Sequence, residues 1–280
     1  ATILAKSGRD PSYAIGCGDI RGLGSPGHFG KGREFVAEAD EYVTDPTHDL
    51  SPRFLWQRPQ VLVVTNIDYD HPDVYTSLDQ VKNAFLALQN QEEGIAMTVV
   101  NSDDANSALL LKTKNLLTYG FSEKADFHIT KTHFQAGKTV FEAEFRGTAI
   151  GSFTLHVPGN HNIANAAAAI TASYALGVSW EDSRKGLDAF YSTKRRFELV
   201  GEIGKTRIYD DYAHHPQEIE ATLDGIRLWY PESRIISIFQ PHTYSRTKAL
   251  LQKFGLCFRK SDSVLIADIY ASAREQELQR

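Results

Sequence analysis

Short runs of aliphatic and β-branched residues alternate along this chain with stretches of helical periodicity. That alternation confines it to the α/β class, because consecutive strands joined by a helix run parallel and bury both of their faces. Strands are expected at 12–16, 34–38, 61–65 and 95–101, with helices at 77–89 and 104–112. Ser77 followed by Gln80 is a capping-box spacing and marks the start of the first of these helices. From 115 to 157 the pattern changes to successive alternating runs with a hairpin turn at Ala136-Gly137-Lys138, which reads as an antiparallel meander on the parallel sheet. An Ala-rich helix follows Pro158 and closes at Gly177, and a second spans 180–190.

A polar, basic stretch at 192–197 separates this part from a further series: strand 207–209, helix 216–229, strand 234–239, helix 246–258 and strand 263–267. The expected architecture is a central, mostly parallel sheet with helices on both faces and an antiparallel extension over 1–193. A truncated Rossmann-like α/β domain follows over 194–280. Two domains also suit 280 residues, since one usually takes about 100–200.

Composition narrows the function classes. Hydrophobic residues at 42% and charged residues at 23% supply a core and argue against disorder. A net charge of −5 lacks the basic excess of a nucleic-acid scaffold. Cys17 and Cys257 are too few for a disulfide framework and suit a reducing cytoplasm, and no apolar run reaches the length of a membrane span. Residues 1–8 read as the last turns of a helix closed by Gly8, the only Met is Met97, and strand 261–270 calls for a covering helix, so a piece of a longer protein is expected.

Five polar clusters follow strand ends, where ligands of open α/β sheets sit. The first, Glu38, Asp40 and Glu41, offers carboxylates suited to Mg²⁺, with a solvated acidic loop as the alternative. The second, after 61–65, gathers Asn66, Asp68, Asp70, His71 and Asp73. In the third, Asn162 and Asn165 project from neighbouring positions on the first turn of the Ala-rich helix and could read a purine edge; simple N-capping by Asn160 or Asn162 is the plainer local reading. The fourth holds Asp210, Asp211, His214 and His215 before Pro216, and its spacing does not suit zinc. The fifth holds His242, Ser245 and Arg246, where Arg suits planar carboxylate binding. Together they imply a ligand crevice between two α/β domains.

Taken in order, G-R-E-F-V-A-E-A-D-E, V-V-T-N-I-D-Y-D-H-P-D-V-Y, P-G-N-H-N-I-A-N-A-A-A-A-I, R-R-F-E-L-V-G, D-D-Y-A-H-H-P-Q-E-I and F-Q-P-H-T-Y-S-R-T resemble the Mur ligase family across nearly the whole chain. The last two are similar to the branch that adds L-alanine to UDP-N-acetylmuramate; a recycling branch that attaches a tripeptide to the same acceptor is the nearest alternative. A non-catalytic nucleotide-binding domain is the alternative from another class. The resemblance implies an ATP-dependent, Mg²⁺-requiring amide ligase of the bacterial cytoplasm, acting in peptidoglycan precursor synthesis. ATP would phosphorylate the muramic-acid carboxylate, and the alanine amine would attack the acyl phosphate.

The resemblance also assigns roles. Glu38 matches a Mg²⁺-binding glutamate and His71 a second-metal histidine. Asn162 and Asn165 match adenine-contacting residues, Arg196 an arginine that reaches the γ-phosphate as the domains close, and Asp211 an acid beside the nucleotide. His214, His242 and Arg246 match groups around the alanine and the acyl centre. Glu38 and His71, ending strands taken as neighbours, are expected within about 4–7 Å of each other. Two departures stand out: the family's G-x-H-G-K-[ST] phosphate loop does not occur in these 280 residues, and Thr243 stands where some members carry Arg.

Overall fold

A computed structural model describes residues 1–45, 47–71, 74–91 and 95–271; Asp73, named above, lies outside them. The chain opens with α1 (Thr2–Lys6), after which Gly8 turns with φ 78°. Strands β1 (Ser12–Ala14), β2 (Gly27–His28) and β3 (Phe35–Ala37) form a small sheet ordered β2-β1-β3, and β4 (Val43–Asp45) and β5 (Asp49–Pro52) form a hairpin before a 3₁₀ turn, Arg53–Trp56.

Six strands make the main sheet: β6 (Val61–Val64), β7 (Met97–Asn101), β8 (Leu116–Gly120), β9 (Phe127–Gln135), β10 (Lys138–Phe145) and β11 (Thr148–Leu155). Their order is β11-β10-β9-β8-β7-β6, with β6 to β9 parallel and β9 to β11 antiparallel. The expected parallel sheet with an antiparallel extension is present. Gly137, at φ 81°, makes the first hairpin turn, as expected from Ala136-Gly137-Lys138, and Lys138 pairs with Gln135 as β10 begins. Val99 and Val100, adjacent in β7, point to opposite faces and are both fully buried. One face packs Phe127, Phe141 and Phe153 under α3 (Asn160–Ala175) and α4 (Trp180–Asp188). The other packs Leu62, Val64 and Val100 under α2 (Leu78–Gln89) and the 3₁₀ helix Ala105–Lys112.

The remaining elements are a hairpin of β12 (Glu198–Ile203) and β13 (Thr206–Asp210), then α5 (Pro216–Trp229), β14 (Ile236–Phe239), α6 (Tyr244–Ala249), α7 (Leu251–Cys257) and β15 (Ser263–Ile266), with β14 and β15 parallel. Their core centres on Ile219, Leu223, Phe239 and Phe254. Gly225 of α5 lies so close to Gly159 that a Cβ on it would meet the Gly159 backbone at 3.3 Å. Nearby, Trp229 Nε1 donates to Thr139 Oγ1 at 2.9 Å, and Thr139 donates to the Val157 carbonyl at 3.0 Å, all in buried surroundings. Trp229→Phe leaves that contact without its donor and should lower stability in urea by about 1–3 kcal/mol. No measurable change would mean that the bond contributes nothing.

Four expectations need correction. Strands 12–16 and 34–38 do not join the main sheet; β3 leaves Phe35 and Ala37 exposed, so it lacks the two buried faces of an interior strand. Its neighbour is β1, and β6 is an edge strand beside β7 alone. Residues 105–112 are 3₁₀, because Asp104 draws the Asn106 and Ser107 amides into a tight cap. The helix expected at 246–258 begins at Tyr244 and breaks at Leu250. Lastly, β12 precedes β13 as an antiparallel partner where no strand was anticipated.

Candidate active site

After β6 the chain is pinned before it reaches the polar cluster. Ile67 is buried; its amide donates to Asp104 Oδ2 and its carbonyl accepts from the Asn106 side chain. The Tyr69 hydroxyl donates to the Tyr75 carbonyl, and the Tyr75 hydroxyl donates to the Glu41 carbonyl at 2.5 Å. These bonds draw the Glu41 segment onto the end of β6. Glu41 Oε1 lies 3.5 Å from His71 Nε2, Asp70 Oδ2 lies 3.9 Å from the same nitrogen, and the Tyr42 ring sits 4.8 Å from the imidazole. Donor atoms of Glu41, Asp70 and His71 fall within 4.8 Å of one another, the one such set among the described residues. Burial pulls the His71 pKa down, but Glu41 and Asp70 outweigh it and leave the imidazole raised.

Glu38 faces elsewhere. Its carboxylate accepts from the Gly16 amide at 2.6 Å, and a Cβ at Gly16 would stand 3.0 Å from it, so a side chain there would have to shift the carboxylate. The argument from neighbouring strands therefore fails, and the carboxylate at His71 is that of Glu41. Cys17, beside this turn, has its thiol pushed up by burial and by Glu38, with Arg196 opposing, which brings Arg196 to the same side.

Asn162 donates its side-chain amide to the Pro158 carbonyl at 2.7 Å, and Asn165 is exposed on the same helix. The α3 N-cap is Gly159 at φ 95°, so neither Asn160 nor Asn162 caps the helix. Between the two asparagines, burial lowers the pKa of His161, opposed by Asp224 and reinforced by Arg196.

The turn from β13 into α5 is fixed by its acids. Asp211 accepts from the Ala213 and Phe197 amides, both at 2.8 Å; burial nevertheless leaves its pKa raised. Glu218 accepts from the His214 and His215 amides and lies 3.6 Å from Arg196 Nη1, while the Arg196 guanidinium reaches over the Tyr212 ring. His214 Nδ1 sits 3.0 Å from the Tyr212 carbonyl, which assigns its proton to that nitrogen. The His214 and His242 rings are 6.3 Å apart, and His242 stacks on Tyr270.

Arg246 comes from the fifth cluster to the second. Its Nε and Nη2 both lie 3.1 Å from Asp70 Oδ1, across 176 positions of sequence, with the side chain 11% exposed. Thr243 starts α6 at φ 69°, a left-handed conformation that costs a β-branched residue about 1–3 kcal/mol, and its Oγ1 accepts from the Arg246 amide. His215 belongs to the fourth sequence cluster, which gave it no role of its own. It is buried as the α5 N-cap, its Nε2 has no hydrogen-bond partner among the described residues, and burial lowers its pKa against Asp70 and Asp68. Pro216 was the local sign that position 215 would be a cap.

The α/β layers, joined by the Arg246–Asp70 contact, coincide with two family models, the Mur ligase middle domain over residues 35–173 and the Mur ligase glutamate ligase domain over 195–279. The chain belongs to the Mur ligase family. It is 41% identical over 280 residues to the UDP-N-acetylmuramate–L-alanine ligase of Caldanaerobacter subterraneus, covering 99% of this chain and 58% of that protein. The ligase of the same name from Desulfitobacterium hafniense is 39% identical, covering 98% and 59%. The chain thus spans under two thirds of the length of these relatives. Its fold matches the crystal structure of UDP-N-acetylmuramate-alanine ligase from Thermotoga maritima with a TM-score of 0.77 at 24% identity, over 96% of this chain and 57% of that one. It also matches a MurF ligase of Thermotoga maritima solved in complex with ADP, with a TM-score of 0.72 at 18% identity, over 95% and 61%.

Proposed function

We propose that this chain supplies the central and C-terminal parts of an ATP-dependent ligase that joins L-alanine to the carboxylate of UDP-N-acetylmuramate in bacterial peptidoglycan precursor synthesis. The observation that carries this reading is the meeting of Arg246 with Asp70, beside the Glu41–His71 pair. An amino-acid clamp and a metal-phosphate site are thereby brought into one crevice. The relatives' names supply the acceptor and the amino acid.

Residues 1–193 hold the metal groups and the adenine contacts, and 194–280 the groups that meet the amino acid together with Arg196 and Asp211 on the phosphate side. The carboxylates of Glu41 and Asp70 and the imidazole of His71, within 4.8 Å of one another, fit a small divalent cation such as Mg²⁺, and Glu41 and His71 would hold the ion. Glu38, which the family resemblance matches to a Mg²⁺-binding glutamate, stands apart from this set on the Gly16 amide. An ion held by these residues would supply positive charge against the phosphate oxygens. Asn162 and Asn165 flank the adenine, and Arg196 reaches the γ-phosphate. Asp211 acts beside the nucleotide by holding the Phe197 amide, and with it the Arg196 segment. Arg246 receives the carboxylate of alanine. With its Nδ1 proton held by Tyr212, His214 keeps a lone pair on Nε2 and can take a proton from the attacking amine near His242. The reaction takes place in the cytoplasm; no helix among the described residues is long and apolar enough to cross a membrane.

The test is phosphate release by the full-length protein carrying this sequence, with ATP, Mg²⁺, UDP-N-acetylmuramate and either L-alanine or the L-Ala-γ-D-Glu-meso-diaminopimelate tripeptide. Release that depends on alanine is expected. Release with the tripeptide alone assigns the recycling reaction, and none with either leaves a nucleotide-binding domain. The 280 residues by themselves contain no G-x-H-G-K-[ST] loop, and alanine-dependent release from them alone is expected to be nil.

A further inference from the structure

We propose that Asp70 is a positioning residue for Arg246, orienting the guanidinium that receives the carboxylate of the incoming amino acid; this rests on the ligase reading above. A guanidinium has two edges that can grip an acid: the side edge of Nε and Nη2, and the end edge of Nη1 and Nη2. Asp70 Oδ1 takes the side edge, at 3.1 Å from both nitrogens. Nη1 makes no hydrogen bond among the described residues, so the end edge remains for a second carboxylate. Because the side chain is 11% exposed, it has little freedom to seek another orientation. From the C-terminal side, Thr243 holds the Arg246 backbone; from the other, the bonds at Ile67 and Tyr69 hold the segment that carries Asp70. Asp70 precedes His71 in sequence, and its other oxygen is 3.9 Å from His71 Nε2. The plane of the amino-acid clamp is thereby referred to the metal-phosphate side of the crevice. Arginine and acceptor come into register only when the two units meet.

Asp70 also belongs to the set that could ligate a cation, and kinetics separate the two roles. In the full-length protein, Asp70→Asn keeps the shape and removes the charge. It should raise the KM for L-alanine by about 10–100-fold, as loss of an orienting partner does, with the KM for ATP and the Mg²⁺ requirement unchanged. Arg246→Lys should also raise the KM for alanine, and adding Asp70→Asn to it should have no further effect. A stability role alone would lower the melting temperature and leave the alanine KM in place. An unchanged alanine KM in Asp70→Asn, additive effects with Arg246→Lys, or a shift in the Mg²⁺ requirement instead would each overturn the assignment. Asp70→Ser gives the same readings if the Asn variant does not fold. Absence of alanine-dependent release by the wild-type protein would sink the ligase reading itself, and this role with it.

Discussion

Replacing His71 with Ala should lower alanine-dependent phosphate release by the full-length protein on the order of 10²–10³-fold, the cost of removing one preorganised electrostatic group. The imidazole is half-buried, packed against Tyr42 and set between Glu41 and Asp70. Removing it leaves two carboxylates facing each other without the nitrogen between them. Their repulsion disfavours the present arrangement, and a cation there keeps fewer ligands. The loss should fall on kcat more than on the KM for alanine, since on the proposed reading the amino acid goes to Arg246 of the other unit. Higher Mg²⁺ should recover part of the rate if the deficit is occupancy. A His71→Ala protein that keeps wild-type turnover at low Mg²⁺ would remove His71 from the metal site.

The second large effect concerns folding. Phe141→Ala should destabilise the main-sheet unit by about 3–5 kcal/mol, through lost burial and the cavity left behind. Phe141 lies in β10, is fully buried and stacks on Phe153 with ring centroids 5.3 Å apart. Phe153 in turn packs against Phe127, so the hole would open in the middle of an aromatic row under α3. Sheet strands on one side and Ala-rich α3 on the other leave little that can move inward to fill it. Denaturant unfolding should show a lower midpoint at an unchanged slope. A loss below about 1 kcal/mol would mean that the site repacks freely.

Where local pattern and burial agreed, the chain could be read directly. Helix 216–229 was legible to the residue because Pro216 fits the first helical position and its apolar spacing continues to Trp229. Val61 to Val64 read as a strand because aliphatic residues on both faces require cover from both sides. What did not show was partnership. Residues 34–38 look like a strand, yet nothing in them reveals that β3 pairs with β1 and not β6, and the expected Glu38–His71 approach depended on that pairing. The choice of Glu41 depends on the Tyr75 hydroxyl, 34 residues away. The meeting of Arg246 with Asp70 depends on how two units pack, and no local spacing encodes it. His215 was passed over because a cap and a site residue look alike until burial is known.

At the crossing of α3 and α5, Gly159 and Gly225 put main chain against main chain with no side chain between. Rocking one unit over the other there requires no rotamer to rearrange, so the resistance to motion comes from its surroundings. Those surroundings include Trp229, bonded to Thr139 one turn along α5, and the Arg246–Asp70 pair, side-chain contacts that tie the two units together. A methyl group at position 225 would press on the Gly159 main chain at 3.3 Å, so the two backbones would have to part by a few tenths of an ångström while both side-chain ties stay in reach.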